Sequence, residues 1–224
     1  MINPVHTAAF SLPPVRFREV LRYAGAKEET PALAELLEDA LAEAQPLLRP
    51  MVCWQEFPVS RDHGVLKLGF TSTGSKDLMK NLSGCHQLVL FGATLGLPLD
   101  RLITRYSRLS PARALLLQAI GAERIEALCD VFCEKIHADA HSAGYSAAPR
   151  FSPGYGDFPL EVQRDIFRTL DCSRRIGLTL NESLLMSPSK SVTAIIGIGN
   201  RPIPPHTTGC SQCSKTDCIH RRLP

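Results

Sequence analysis

Leu33, Leu36, Leu37 and Leu41 recur at helical spacing, and Thr30-Pro31 ahead of them reads as an N-cap followed by proline at the first helical position. Pro46 ends that pattern. Residues 51–59 and 65–70 read as two strands, the second with Leu66, Leu68 and Phe70 on one face. Residues 71–75 form a Ser/Thr/Gly turn, and Ser75 stands where it can cap a short helix bearing Leu78, Met79 and Leu82. The apolar run at 85–93 reads as a buried strand, with a helix as the alternative because the run is short.

From 99 to 143 the pattern is helical. Residues 100–108 form one piece, and Ser110-Pro111 restarts the helix with a second cap-plus-proline pair. Ile125, Leu128, Phe132 and Ile136 continue an apolar stripe down the longer piece, where Cys129 and Cys133 read as packing residues. A Gly/Pro-rich loop spans 149–159, and a further helix at 160–170 turns Val162, Ile166, Phe167 and Leu170 inward. Residues 183–186 and 191–198 read as strands joined by Ser187-Pro188-Ser189-Lys190, and Pro202, Pro204 and Pro205 mark a linker to a cysteine-bearing tail. Strands and helices without regular βαβ alternation predict an α+β fold.

Composition narrows the function classes. At roughly 150 residues per domain, 224 residues make one large domain or one domain plus a short addition. A net charge of +3 is too mild to point to a nucleic-acid or membrane partner. The start of the chain lacks the basic residues and continuous apolar core of a signal peptide, and the uncharged run at 81–99 is broken by Asn81, Ser83, His86 and Gln87. A cytoplasmic protein is expected, with thiols reduced and clustered cysteines favouring metal or redox chemistry over disulfides. Phosphate-loop, dinucleotide-fingerprint and nucleophile-elbow motifs are absent: Gly74-Ser75-Lys76 lacks the preceding glycine, and Gly197-Ile198-Gly199 lacks the third.

The most distinctive loop is Arg150-Phe151-Ser152-Pro153-Gly154-Tyr155-Gly156-Asp157-Phe158-Pro159. Its prolines stiffen it, and its glycines allow close backbone approach to a ligand. It reads either as a rigid turn opening the next helix or as a binding loop. With Glu182-Ser183, Met186-x-Pro188 and Lys190-Ser191-Val192-Thr193-Ala194, it resembles the activation domain of cobalamin-dependent methionine synthase. The segment Ser75-Lys76-Asp77-Leu78, with Leu82 and Cys85, resembles the stand-alone bacterial form of that domain.

The resemblance implies a twisted mixed or antiparallel sheet flanked by helices over residues 1–205. It also implies S-adenosylmethionine as cofactor and methyl donor, and a cobalamin-dependent methionine synthase or related corrinoid protein as partner. The family's Arg-x-x-x-Gly-Tyr motif falls on Arg150, Gly154 and Tyr155, with Ser152 where a small residue meets the ligand through its backbone. The family's acidic helix residue falls on Asp130, with Glu134 four residues along the same face, while its tyrosine pair has no match around 198–203. Chemically, Arg150 suits a carboxylate, Asp130 or Asp157 an ammonium, and the Tyr155 ring an adenine or a sulfonium. The implied function is reductive remethylation of cob(II)alamin. The alternatives are a non-catalytic adaptor binding S-adenosylmethionine or the cobalamin protein, and an iron–sulfur reductase of another ligand.

Cys210-x2-Cys213-x4-Cys218 places three thiols in the tail at 206–224, a density that suits a zinc ion or an iron–sulfur cluster. Candidate fourth ligands are His220, His206, Cys172, Cys85 and Cys53. On the activation-domain reading a cluster would relay the electron that cob(II)alamin requires, from an acidic donor such as a flavodoxin or ferredoxin; a small zinc knot is the other reading.

Overall fold

The computed structural model describes residues 3–200, apart from Lys27 and Glu29. The cysteine tail and the 206–224 boundary therefore lie outside the described residues. In chain order, β1 (His6–Ala9), α1 (Phe17–Ala24) and α2 (Pro31–Ala44) lead to β2 (Met51–Pro58). The Thr30 hydroxyl accepts from the Leu33 N–H at 3.3 Å, so the cap read from Thr30-Pro31 is present. A small three-stranded sheet follows, of β3 (Ser60–Asp62), β4 (Val65–Lys67) and β5 (Ser72–Thr73), and then α3 (Lys76–Asn81), capped by the Ser75 hydroxyl on the Leu78 N–H at 3.0 Å. Next come β6 (Cys85–Thr94), α4 (Leu97–Leu109) and α5 (Pro111–Ser142), the last capped by Ser110. After β7 (Ser146–Ala147) come α6 (Gln163–Leu170), α7 (Cys172–Ile176), β8 (Thr179–Leu180), β9 (Met186–Ser187) and β10 (Ser191–Gly199).

The main sheet runs in the order β1-β2-β6-β10-β7, with each neighbouring pair antiparallel. Its central strand, β6, is buried on both faces, which is why its sequence is a continuous apolar run where a one-sided strand would alternate. Val89, Phe91 and Ala93 face α1, α2, α4 and α5, while Leu88 and Leu90 face α3, α6 and α7. Phe132 of α5 anchors the first layer against Phe10, Trp54 and Phe91, with the Phe91 ring 4.8 Å away. Among the described residues, no helix is long and apolar enough to cross a membrane.

Three expected elements differ. The strand read at 65–70 stops at Lys67, because Gly69 turns the chain at φ +80. The helix read at 160–170 opens with a 3-10 turn at Leu160–Val162. Residues 181–184 form a turn, closed by the Leu184 N–H on the Asn181 carbonyl at 3.1 Å, and strand pairing begins only at Met186.

β10 creates the place for a site. On its inner side it pairs with β6 from Ser191 onward, but β7 covers its outer side only at Ile198 and Gly199. A single bridge, Phe151 to Ile195, continues that edge. The first residues of β10 therefore border a gap between α5, the 150–155 loop and α6.

Candidate binding site

Backbone pairing sets the loop. Phe151 and Ile195 exchange two N–H to carbonyl bonds of 2.9 Å each, which fixes Arg150 beside the sheet edge. Gly154 sits at φ +89 and donates its N–H to the Phe158 carbonyl at 2.8 Å, closing the turn that presents Tyr155. At Gly156 (φ +52), a Cβ would lie 2.2 Å from Asp77 Oδ2, so a larger residue would both strain the backbone and displace the Asp77 side chain.

Asp157 fastens the loop to α3. Its carboxylate accepts from the Ser75 hydroxyl at 2.5 Å and from the Lys76 and Asp77 N–H groups at 2.8 and 3.1 Å. Those bonds, the Ser75 bond first, hold its pKa below the usual carboxylate value. Asp157 is thus a loop anchor, and the structure does not bring it to the site. This carboxylate joins two of the segments that carry the family resemblance, 75–78 and 150–159.

Arg150 reaches back to α5. Its Nη2 donates to Glu126 and lies 3.9 Å from Asp130, one turn further along the same helix face. Asp130 is shared with Arg16, at 3.6 Å, and Arg16 is itself held at 3.0 Å by the fully buried Glu123. Burial works against the Arg150 charge, but Cys129, Glu126, Cys133 and Asp130 more than offset it, and its pKa is raised. Burial also pushes the neighbouring Cys133 thiol up to about 11, and Cys129 higher still, so neither is a thiolate near neutrality.

Between these elements lies a cavity of about 190 Å³, whose lining includes Glu126, Arg150, Ser152, Tyr155, Gln163 and Thr193. Among the described residues, five buried side-chain polar atoms lack a hydrogen-bond partner within the protein, and three belong to this lining: Arg150 Nη1, Gln163 Oε1 and Thr193 Oγ1. A buried polar atom left unpaired costs about 1–3 kcal/mol. Three in one small cavity are the mark of a site that a polar ligand completes. Tyr155 stands at the rim, 61% exposed, with its ring edge toward Phe151.

Larger concavities exist, of about 660 Å³ between the 10–15 segment and α2 and about 500 Å³ beside Asn3 and His86. Neither is lined by any of the five unpaired atoms. The chemistry therefore points to the smaller cavity.

Of the residues expected from sequence, Arg150, Ser152 and Tyr155 line the cavity, Gly154 shapes the turn between them, and Asp130 stands behind Arg150. Glu126, Gln163 and Thr193 are additions from the structure. Glu126 was legible as the residue one turn before Asp130, whereas no spacing singles out Gln163 or Thr193. The candidate tail ligands Cys210, Cys213 and Cys218 lie outside the described residues, as do His206 and His220. Of the other candidate ligands, Cys53 and Cys172 are buried with their Sγ atoms 3.9 Å apart, and Cys85 is partly buried. Among the described residues, no group of three or more His, Cys, Asp or Glu side chains is placed to hold a metal ion.

No protein-family model matches the chain, and no curated protein does. Among the solved structures that match is the MetH reactivation domain bound to AdoHcy. Its TM-score is 0.61, and the match covers 88% of this chain and 79% of that one. The fold is that of the MetH reactivation domain. The shared fold accounts for the antiparallel sheet with helices on both sides. At 17% identity, the residue roles rest on the geometry above.

Proposed function

We propose that the cavity binds S-adenosylmethionine and that the protein serves the reductive remethylation of cob(II)alamin on a methionine synthase-type corrinoid partner. The observation that carries this reading is the buried, unpaired Nη1 of Arg150, held at the edge of β10 in a fold whose solved relative is described as bound to AdoHcy.

The donor set fits such a ligand. Arg150 has a free N–H group for the carboxylate, and its orientation is fixed by Glu126. The exposed Tyr155 ring offers a face to the adenine or the sulfonium, a contact worth roughly 0.5–2 kcal/mol. When bound, S-adenosylmethionine supplies an activated methyl group. This chain needs no nucleophile or base of its own: its residues bind, orient and partly desolvate the donor. The corrinoid partner takes up one electron and one methyl group, and S-adenosylhomocysteine leaves.

On this reading, residues 1–205 are the binding domain, and the tail at 206–224 holds a metal centre through Cys210, Cys213 and Cys218. An iron–sulfur cluster there would pass on the electron from an acidic donor protein.

The test mixes the protein with a cob(II)alamin-loaded methionine synthase that lacks its own reactivation domain, a reductant and methyl-labelled S-adenosylmethionine. Label on the corrinoid is expected. Binding of S-adenosylmethionine without any label transfer would replace this reading with that of an adaptor.

A further inference from the structure

Gln163 and Thr193 approach the cavity from different elements. Gln163 is the first residue of α6 and Thr193 lies in β10, opposite Gly92 of β6. They are 6% and 2% exposed, and Gln163 Oε1 and Thr193 Oγ1 have no partner within the protein. A glutamine carbonyl oxygen only accepts hydrogen bonds, and a threonine hydroxyl can accept them. Arg150 lines the same cavity, and its Nη1, which only donates, is likewise without a partner. One small space therefore offers a donor for an anion and two acceptors for a cation.

That pairing matches an α-amino acid head group, which carries a carboxylate and an ammonium on one carbon. Volume agrees. About 190 Å³ is well below the ~300–1,000 Å³ of cavities that enclose a whole drug-sized ligand, so only one end of a nucleoside–amino acid conjugate can be enclosed. Charge agrees as well. Arg150 is already balanced by Glu126 and Asp130, and a head group that brings one charge of each sign leaves that balance intact.

We propose that Gln163 and Thr193 accept from the ligand's α-ammonium, making this a site that selects ligands by their free amino acid end, with the nucleoside lying outward over Tyr155. This rests on the reading that the cavity takes an S-adenosylmethionine-type ligand. It adds the residues that decide which members of that class are accepted. A site built to bond a polar group rejects the analogue lacking it, because its own buried atoms then stay unpaired.

The experiment is calorimetric titration of the full chain with S-adenosylhomocysteine, its deaminated analogue and 5′-methylthioadenosine, which lacks the amino acid end. The expected result is that both analogues bind at least about tenfold more weakly than S-adenosylhomocysteine. Thr193→Val and Gln163→Met should each weaken S-adenosylhomocysteine about tenfold while leaving the deaminated analogue unchanged, and Thr193→Ser should restore binding. The ligand comparison on the unaltered protein needs no variant to fold. Equal affinity for S-adenosylhomocysteine and its deaminated analogue would overturn this assignment while leaving the ligand class standing. Absence of S-adenosylhomocysteine binding to the unaltered protein would overturn both.

Discussion

Arg150 and Glu126 form an ion pair between the loop and α5 through Arg150 Nη2, and the other terminal nitrogen of this cavity-lining residue, Nη1, is buried without a partner. Glu126 therefore acts on the ligand through Arg150. Glu126→Gln should lower affinity for S-adenosylmethionine by about tenfold, because a neutral amide holds the guanidinium less firmly than a carboxylate does. Arg150→Lys should do worse, since an ammonium cannot hold Glu126 and a ligand carboxylate in one planar fork. Titration of each variant, with thermal melts to confirm folding, checks both.

Asp157 makes the loop's attachment dependent on pH. Its pKa is lowered in the folded protein by the Ser75, Lys76 and Asp77 bonds, whereas in the unfolded chain it returns to about 3.9. A depressed carboxylate pKa contributes stability above the unfolded value, and that stability is lost as pH falls through the folded value. The melting temperature of the unaltered protein should therefore drop more steeply below about pH 4 than that of Asp157→Asn. Parallel melting curves for the two proteins from neutral pH to about pH 3 would show that this carboxylate is not the anchor.

Gly156→Ala tests the same attachment sterically. The left-handed backbone costs a non-glycine residue roughly 1–2 kcal/mol, and the new Cβ would meet Asp77 Oδ2 at 2.2 Å. Either the loop or the Asp77 side chain, which holds the Asp157 N–H at 3.3 Å, must shift, so urea unfolding should show a loss above about 1 kcal/mol together with weakened ligand binding. Unchanged binding would mean that Tyr155 and Arg150 are placed independently of α3.

Capping and periodicity made much of this fold legible in the sequence. Thr30-Pro31, Ser75 and Ser110-Pro111 each open a helix with the side-chain bond their spelling implies. The edges were less legible. β1 is an outer strand whose residues are mostly exposed, so no alternation marks it. α1 buries only Val20 and Leu21, too few for a periodic signal. The site divides in the same way. The loop declared itself through its glycines, prolines and Arg150. Gln163 stands in the polar run Gln163-Arg164-Asp165 and Thr193 within the 190–194 segment that carries the resemblance, and only burial without a partner marks these two as site residues.

The tail makes a separate prediction. Protein purified without oxygen should carry iron and sulfide, with visible absorption that Cys213→Ser abolishes. Stoichiometric zinc without iron would assign the tail a structural role and remove the electron relay.

The central claim is that the Arg150 cavity binds S-adenosylmethionine. Its most direct test is calorimetric titration of the purified chain with S-adenosylmethionine, beside Arg150→Ala. The account predicts saturable one-to-one binding that Arg150→Ala weakens at least about tenfold, the loss expected when a charge-assisted bond worth roughly 1.5–3 kcal/mol is removed. No heat of binding to the unaltered protein, or equal binding by Arg150→Ala, would contradict it.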